Sequence, residues 1–272
     1  MILVLSGTAD GREIAVTLSK HGFQVLVSAA TSYGGMLHRQ GSEGAAVREG
    51  VLTRQEMEEL ITGAEIKAVV DATHPFAAGV SRAAVEACGR RAVPYLRYER
   101  EETRLEPGAE GIIAVSSFSA AAEKARQFAG TVFLTVGSRH LAEFCRVIPL
   151  ERLAVRVLPQ SEVLKKCEEL GLLPRSIVAM QGPFSRELNR EMFRQYRAGV
   201  IVTKDSGRAG GTLEKISAAR DLRIPVVLVK RPAVEYPLVV RDKDELLEEL
   251  GRILGIQVKE TRSTGNKNAA GE

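Results

Sequence analysis

The chain has no tryptophan and only three cysteines in 272 residues. Cys88, Cys145 and Cys167 lie too far apart to form the close pairs of a zinc site. A sparse, odd set of this kind fits a reducing compartment better than a disulfide scaffold. No apolar run approaches the roughly 20 residues that span a bilayer. The opening Met1-Ile2-Leu3-Val4-Leu5 lacks the basic segment of a secretory leader. A cytoplasmic protein with no membrane partner is therefore expected. Neither sign of charge dominates: 38 Lys and Arg face 34 Asp and Glu, a net charge of +4. No concentrated basic stripe is present, so no nucleic-acid partner is expected. The sequence also has no Gly-x-Ser-x-Gly elbow, no His-Glu-x-x-His pair and no carboxylate cluster. Neither a nucleophilic triad nor a resident metal is expected.

What is present is ordinary globular composition, 44% apolar and 26% charged, with 25 glycines. At about 150 residues per domain, the length predicts two domains. Short apolar runs alternate with amphipathic helical stretches. Strands are predicted at Ile2–Leu5, Gln24–Ala29, Ala68–Val70, Val93–Tyr98, Val132–Val136, Leu153–Leu158, Ile177–Met180, Val200–Thr203 and Val226–Val229. Helices are predicted at Asp10–Lys20, Arg54–Ile61, Phe76–Gly89, Ser119–Phe128, 161–170, 186–197, 212–222 and Asp244–Leu254. Strands alternating with helices predict mostly parallel sheets flanked by helices. The charged, Pro- and Gly-containing stretch at about 101 to 111 reads as a linker. The expected organisation is an N-terminal Rossmann-like α/β domain at 1–102, a second α/β domain at 103–258, and a disordered tail at 259–272. A ligand cleft is expected between the domains.

In open parallel sheets, ligands bind outside the carboxyl ends of the strands. The first strand is followed by Ser6-Gly7-Thr8-Ala9-Asp10-Gly11-Arg12. Gly7 permits a sharp turn. Gly11 would leave a helix start open to a phosphate, although a plain turn with Asp10 as helix cap explains the same residues. Arg12 is a cation one residue into the helix, where the macrodipole disfavours it, and so points to an anion. The second strand runs into Ser28-Ala29-Ala30-Thr31-Ser32 without the acid that holds an NAD ribose. Ser28 and Thr31, with Arg12, suit a 2′-phosphate, favouring NADPH over NADH.

The strand end Val70-Asp71-Ala72-Thr73-His74-Pro75 sets an acid, a hydroxyl and an imidazole behind a buried run. Local capping, by Thr73 for example, is one reading; proton donation by His74 is another. Arg82 lies on the following helix. Arg97 lies inside an apolar strand, where it needs an acid or a ligand carboxylate. In the second half, Arg156 sits inside a strand, and Ser185 can cap a helix. Thr203-Lys204-Asp205-Ser206-Gly207 with Gly210-Gly211 forms a second anion-ready loop. His21, His38 and His140 read as surface or helix-end residues, and the cysteines as inert packing.

These motifs occur in the order seen in precorrin-6A reductases. The chain resembles that family over about residues 1–232 in Gly7-Thr8-Ala9-Asp10-Gly11-Arg12, Asp71-Ala72-Thr73-His74-Pro75-Phe76-Ala77, Pro94-Tyr95-Leu96-Arg97, Gln181-Gly182-Pro183-Phe184-Ser185 and Thr203-Lys204-Asp205-Ser206-Gly207. Ser6 departs from the glycine expected there. The resemblance implies hydride transfer from NADPH, or NADH, to a double bond of precorrin-6A or its cobalt form in corrin biosynthesis. It assigns Gly7, Thr8, Gly11, Arg12, Ser28, Thr31, Asp71 and Thr73 to the cofactor. It assigns Arg82, Arg97, Arg156 and Lys204 to the substrate's carboxylates, and Asp205 or His74 to proton supply. It also suggests contact with other corrin-pathway enzymes. A nucleotide-binding regulator, or a different two-domain tetrapyrrole enzyme, stays open as an alternative.

Overall fold

The computed structural model describes residues 1–41, 45–99, 111–207 and 210–256. The expected linker, Gly111 apart, and the expected disordered tail lie outside the described residues. The chain divides into two compact units. Among the described residues, the first holds 1–99 and 234–256, and the second holds 111–207 and 210–233.

The first unit is a six-stranded parallel sheet in the order β3-β2-β1-β4-β5-β12. Its strands are β1 (Ile2–Ser6), β2 (Val25–Ala29), β3 (Ala46–Glu49), β4 (Ala68–Asp71), β5 (Tyr95–Tyr98) and β12 (Val239–Val240). Period-two alternation sends β1 side chains to both faces, and both are apolar. Ile2 and Val4 pack with α1 (Ala9–Lys20) and α10 (Lys243–Leu254) through Ile14, Leu18, Leu246 and Leu250. Leu3 and Leu5 pack with α3 (Arg54–Gly63) and α4 (Ala78–Arg91) through Met57, Ile61, Ala84 and Cys88. The expected strands and helices on both faces are thus present.

Two corrections concern this unit. The second domain does not run unbroken to 258. The stretch from Val234 returns to the first unit, where Val239 and Val240 pair with Arg97 and Tyr98 on the edge of the sheet. Leu246, Leu247 and Leu250 then complete its core. A two-residue strand is too short to show an alternation, so this return leaves no periodic trace. In addition, α2 (Ser32–Gly41) and β3 occupy a stretch for which no element is expected. Gly34, Gly35 and Gly41 argue against helix there on propensity alone. Tertiary packing overrides it: a methyl on Gly35 would stand 2.7 Å from Glu49 Cγ, so helix and strand meet closely there and a larger residue would have to displace the Glu49 side chain.

The second unit is also a six-stranded parallel sheet, ordered β9-β8-β7-β10-β11-β6. Its strands are β6 (Ile112–Val115), β7 (Thr131–Leu134), β8 (Leu153–Val157), β9 (Ile177–Ala179), β10 (Ala198–Lys204) and β11 (Val226–Val229). Helices α8 (Arg186–Gln195) and α9 (Thr212–Asp221) cover one face over Phe133, Ile201 and Val226. Ser185 caps α8, accepting from Leu188 N at 3.2 Å as expected. Helices α5 (Phe118–Ala125), α6 (Leu141–Cys145) and α7 (Ser161–Glu169) complete the unit. Among the described residues, no helix is long and apolar enough to cross a membrane.

Candidate active site

In each sheet one pair of neighbouring strands has its following connections running in opposite directions. In the first unit the pair is β1 and β4, and in the second β7 and β10. Such switch points open a crevice at the strands' carboxyl ends. Gly7 and Thr8 with Asp71, Thr73 and His74 fall at the first, and Lys204 with Asp205 at the second.

In the first unit, β1 turns at Gly7 and Thr8 into α1. Thr8, not Asp10, is the cap: its Oγ1 accepts from Gly11 N at 3.1 Å and donates to Ala72 O at 3.0 Å. One hydroxyl therefore caps α1 and ties the ends of β1 and β4 together. The two glycines of the turn differ physically. A methyl on Gly11 would stand 2.9 Å from Ser6 Cβ, so Gly11 serves close packing of the helix on β1. A methyl on Gly7 would meet nothing within 4 Å. Gly7 is thus the open position, with room for a ligand beside it. Gly11→Ala is expected to cost about 1–3 kcal/mol through overpacking, and Gly7→Ala to stay within about 1 kcal/mol of wild type. Urea denaturation of both variants checks this contrast.

Arg12 Nη1 reaches Thr8 O at 3.4 Å, at the limit of a hydrogen bond. Ser28 is buried in β2, and Thr31 is exposed, with its Oγ1 accepting from Gly34 N at 3.1 Å. His38, expected at the surface or at a helix end, does lie in the last turn of α2. It is buried, with Nε2 2.7 Å from Ser6 Oγ. Burial and the charge of Arg12 push it down to about 4, so its ring is neutral at pH 7. The pair fastens α2 to the end of β1.

The residues after β4 form a buried network. Asp71 is 0% exposed and Arg97 1%. Arg97 Nη1 donates to Asp71 Oδ1 at 2.9 Å and to Thr73 Oγ1 at 3.2 Å. Tyr95 Oη donates to Asp71 Oδ2 at 2.6 Å, and Thr73 donates to Oδ1 through both N and Oγ1. The Arg97 guanidinium also lies 5.2 Å from the centre of the Tyr236 ring. Burial and the Asp71 charge drive the Tyr95 phenol far above its usual range. Arg97 therefore meets an acid of its own chain, not a substrate carboxylate. Asp71, expected beside the nicotinamide, is enclosed and fully engaged. Thr73 caps Asp71's carboxylate and not α4, whose first turn has no side-chain cap. The network is a pedestal that fixes the loop ending in His74. There, His74 Nδ1 accepts from Phe76 N at 3.1 Å, which leaves the proton of the neutral ring on Nε2. Arg82 is exposed on α4.

In the second unit, Lys204 and Asp205 close β10 at its switch point. Thr135 Oγ1 at the end of β7 donates to Val202 O at 3.1 Å, which ties the two strands together. Asp205 is buried; its Oδ1 accepts from Gly207 N at 3.1 Å and its Oδ2 lies 3.8 Å from Arg231 Nε. Burial, and then the charge of Arg139, push Lys204 down to about 8. Arg156 is buried near the end of β8, and burial lowers it to about 10. Lys215 on α9 is buried as well, so positive charge concentrates at this end of the sheet. This Lys204-Asp205 corner also carries the Gly-rich loop that opens α9. A family model for the precorrin-6x reductases, CbiJ/CobK, matches residues 1–251.

The chain belongs to the precorrin-6x reductase family. A cobalt-precorrin-6A reductase of Priestia megaterium is 37% identical over 266 residues, covering 97% of this chain and 100% of the relative. A precorrin-6A reductase of Rhodobacter capsulatus is 32% identical over 244 residues, covering 86% of this chain and 88% of the relative. A solved structure described as CobK precorrin-6A reductase superposes with a TM-score of 0.78 at 28% identity, over 95% of this chain and 98% of that one. The family match thus spans both units and both switch points. Sequence reasoning misses His38 and Lys215. The first lies in an unpredicted helix, and the second is one lysine in the helical stretch Thr212-Leu213-Glu214-Lys215-Ile216. Only the fold shows that both face inward.

Proposed function

We propose that this chain transfers a hydride from NADPH to a double bond of the precorrin-6A macrocycle, free or with cobalt bound. Family membership across residues 1–251 is the observation that carries this reading. The chemistry of the two switch points supports it. A nicotinamide cofactor supplies a hydride when bound. Gly7, Thr8 and the α1 amides would receive its pyrophosphate, with Arg12, Ser28 and Thr31 toward the adenosine ribose. Gly7 fits this role because its neighbourhood is open, and Gly11 because it lets α1 approach β1. The absence of an acid after β2 favours a 2′-phosphate. His74, held with its Nε2–H outward from the Phe76 bond, and Thr73 would orient the nicotinamide end.

Arg156 and Arg82 would bind the macrocycle's acetate and propionate arms, since cations complement a polycarboxylate. Reduction of a carbon–carbon double bond also needs a proton. Both Asp205 oxygens face donors in this structure, which suits an orienting acceptor better than an acid. Lys204, held down at about 8 with Asp205 next in sequence, is the better proton donor, and Asp205 would position it.

Purified protein, NADPH and cobalt-precorrin-6A mixed without oxygen should show nicotinamide oxidation that depends on the macrocycle. Gly7→Ala should raise the KM for NADPH about tenfold, as loss of one or two backbone contacts would. Cofactor binding without turnover would overturn the enzyme reading in favour of a nucleotide sensor.

A further inference from the structure

Two cations lie deep in the second unit with only neutral partners. Arg156 is 8% exposed and Lys215 6%. Arg156 Nη1 donates to Asn189 Oδ1 at 2.7 Å, and its guanidinium carbon lies 4.2 Å from the centre of the Phe184 ring. Asn189 is itself fixed: its Nδ2 donates to Ser185 O at 2.7 Å and to Phe184 O at 3.3 Å. Its carbonyl oxygen is therefore held toward Arg156. Lys215 Nζ donates to Gly210 O at 2.9 Å. Among the described residues, no carboxylate lies at ion-pair distance from either cation.

Burying a charge away from a counter-ion is costly, so buried cations are normally paired. Here the fold sets both on one face of the sheet: Arg156 shares the β8 face of Ala154, which α8 and α9 cover, and Lys215 is buried on α9. Lys215 is pushed down to about 7, first by burial and then by the charges of Arg156 and Lys204. Glu214 and Asp205 pull the other way with less force. Glu214 and Asp205 act on Lys215 without hydrogen-bonding to it, so an oxyanion would supply the direct charged partner that Arg156 and Lys215 lack, and a carboxylate matches the donor geometry of guanidinium and ammonium together.

We propose that Arg156 and Lys215 form an oxyanion site in the second unit that takes a carboxylate of the substrate. Arg156 is among the residues that the sequence marks for substrate carboxylates; Lys215 is added by its position on α9, and Asn189 orients Arg156. That the carboxylate is an acetate or propionate arm of the macrocycle rests on the reductase reading. The existence of the anion site does not.

The test has two arms. The first is thermal melting of wild type, Lys215→Met and Arg156→Gln in propionate, in inorganic phosphate, and in chloride at equal ionic strength, with no macrocycle or nicotinamide present. Propionate should raise the wild-type melting temperature above that in chloride, and neither variant should respond. Lys215→Met keeps the side chain's length and gives up one hydrogen bond, to Gly210 O, so its melting temperature in chloride should lie near that of wild type. An equal response in wild type and variants, or no wild-type response, would overturn the site. The second arm is steady-state turnover. Lys215→Met should raise the KM for the macrocycle about tenfold, as loss of one charge-assisted hydrogen bond would, and leave the KM for NADPH within about twofold. A rise in the NADPH KM instead would assign the anion to the cofactor and overturn the substrate assignment. A wild type that melts as expected but never oxidises NADPH would sink the reductase reading and leave the anion site standing.

Discussion

Arg97→Met should destabilise the folded chain by about 3–5 kcal/mol, the range for breaking a buried ion pair by removing one partner. The reason is the environment of Asp71. That carboxylate is 0% exposed and has no route to water. Tyr95 and Thr73 would still donate to it, but its positive partner at 2.9 Å would be gone. Thr73 Oγ1 would also lose its contact with Arg97, and the loop that carries His74 would lose its anchor. Turnover should therefore fall along with stability. Replacing both partners by apolar residues, Asp71→Leu with Arg97→Met, should recover much of the stability and none of the activity. Urea denaturation of the two single variants and the double variant provides the check. A loss below about 1 kcal/mol for Arg97→Met would contradict the pedestal, because exposed pairs fall in that range.

Lys204→Met should lower kcat by about 10²–10⁴-fold, the usual contribution of a positioned general acid. Affinity for NADPH should change little, since the role proposed for Lys204 is toward the macrocycle and not toward the cofactor. The pH dependence has a definite sign. The acid must carry its proton, so kcat should be constant at low pH and fall as pH rises through about 8, where burial and Arg139 place the Lys204 ammonium. Asp205→Asn keeps an acceptor for Gly207 N and so should cost less than Lys204→Met. A flat pH profile between 7 and 10 in wild type would remove Lys204 as the acid.

Much of this architecture is written in local patterns. Doubly apolar runs such as Ile2–Leu5 must be buried on both faces, and that alone places helices on both sides of a parallel sheet. The strand-end rule then picks out Gly7, His74 and Lys204 without coordinates. Other features depend on contacts far apart in sequence. Asp71 and Arg97 lie on neighbouring strands, in register across β4 and β5. Each looks like a ligand group until the pairing shows that they satisfy one another. Gly11 reads as a phosphate contact, yet the packing of α1 on Ser6 already requires it. Lys215 is indistinguishable from a solvated helix lysine until α9 is docked on the sheet. The return of Val239 and Val240 to the first sheet is a matter of edge pairing, which short strands do not advertise.

The reductase reading is tested most directly by following the hydrogen itself. NADPH carrying deuterium at the transferable position of the nicotinamide ring should be mixed with cobalt-precorrin-6A and the full chain under anaerobic conditions, and the product examined by mass spectrometry and NMR. The expected result is a dihydro product with a single deuterium on a macrocycle carbon, with solvent supplying the second hydrogen. Oxidation of the nicotinamide with no deuterium in the macrocycle, or a reduced product labelled only from solvent, would contradict it.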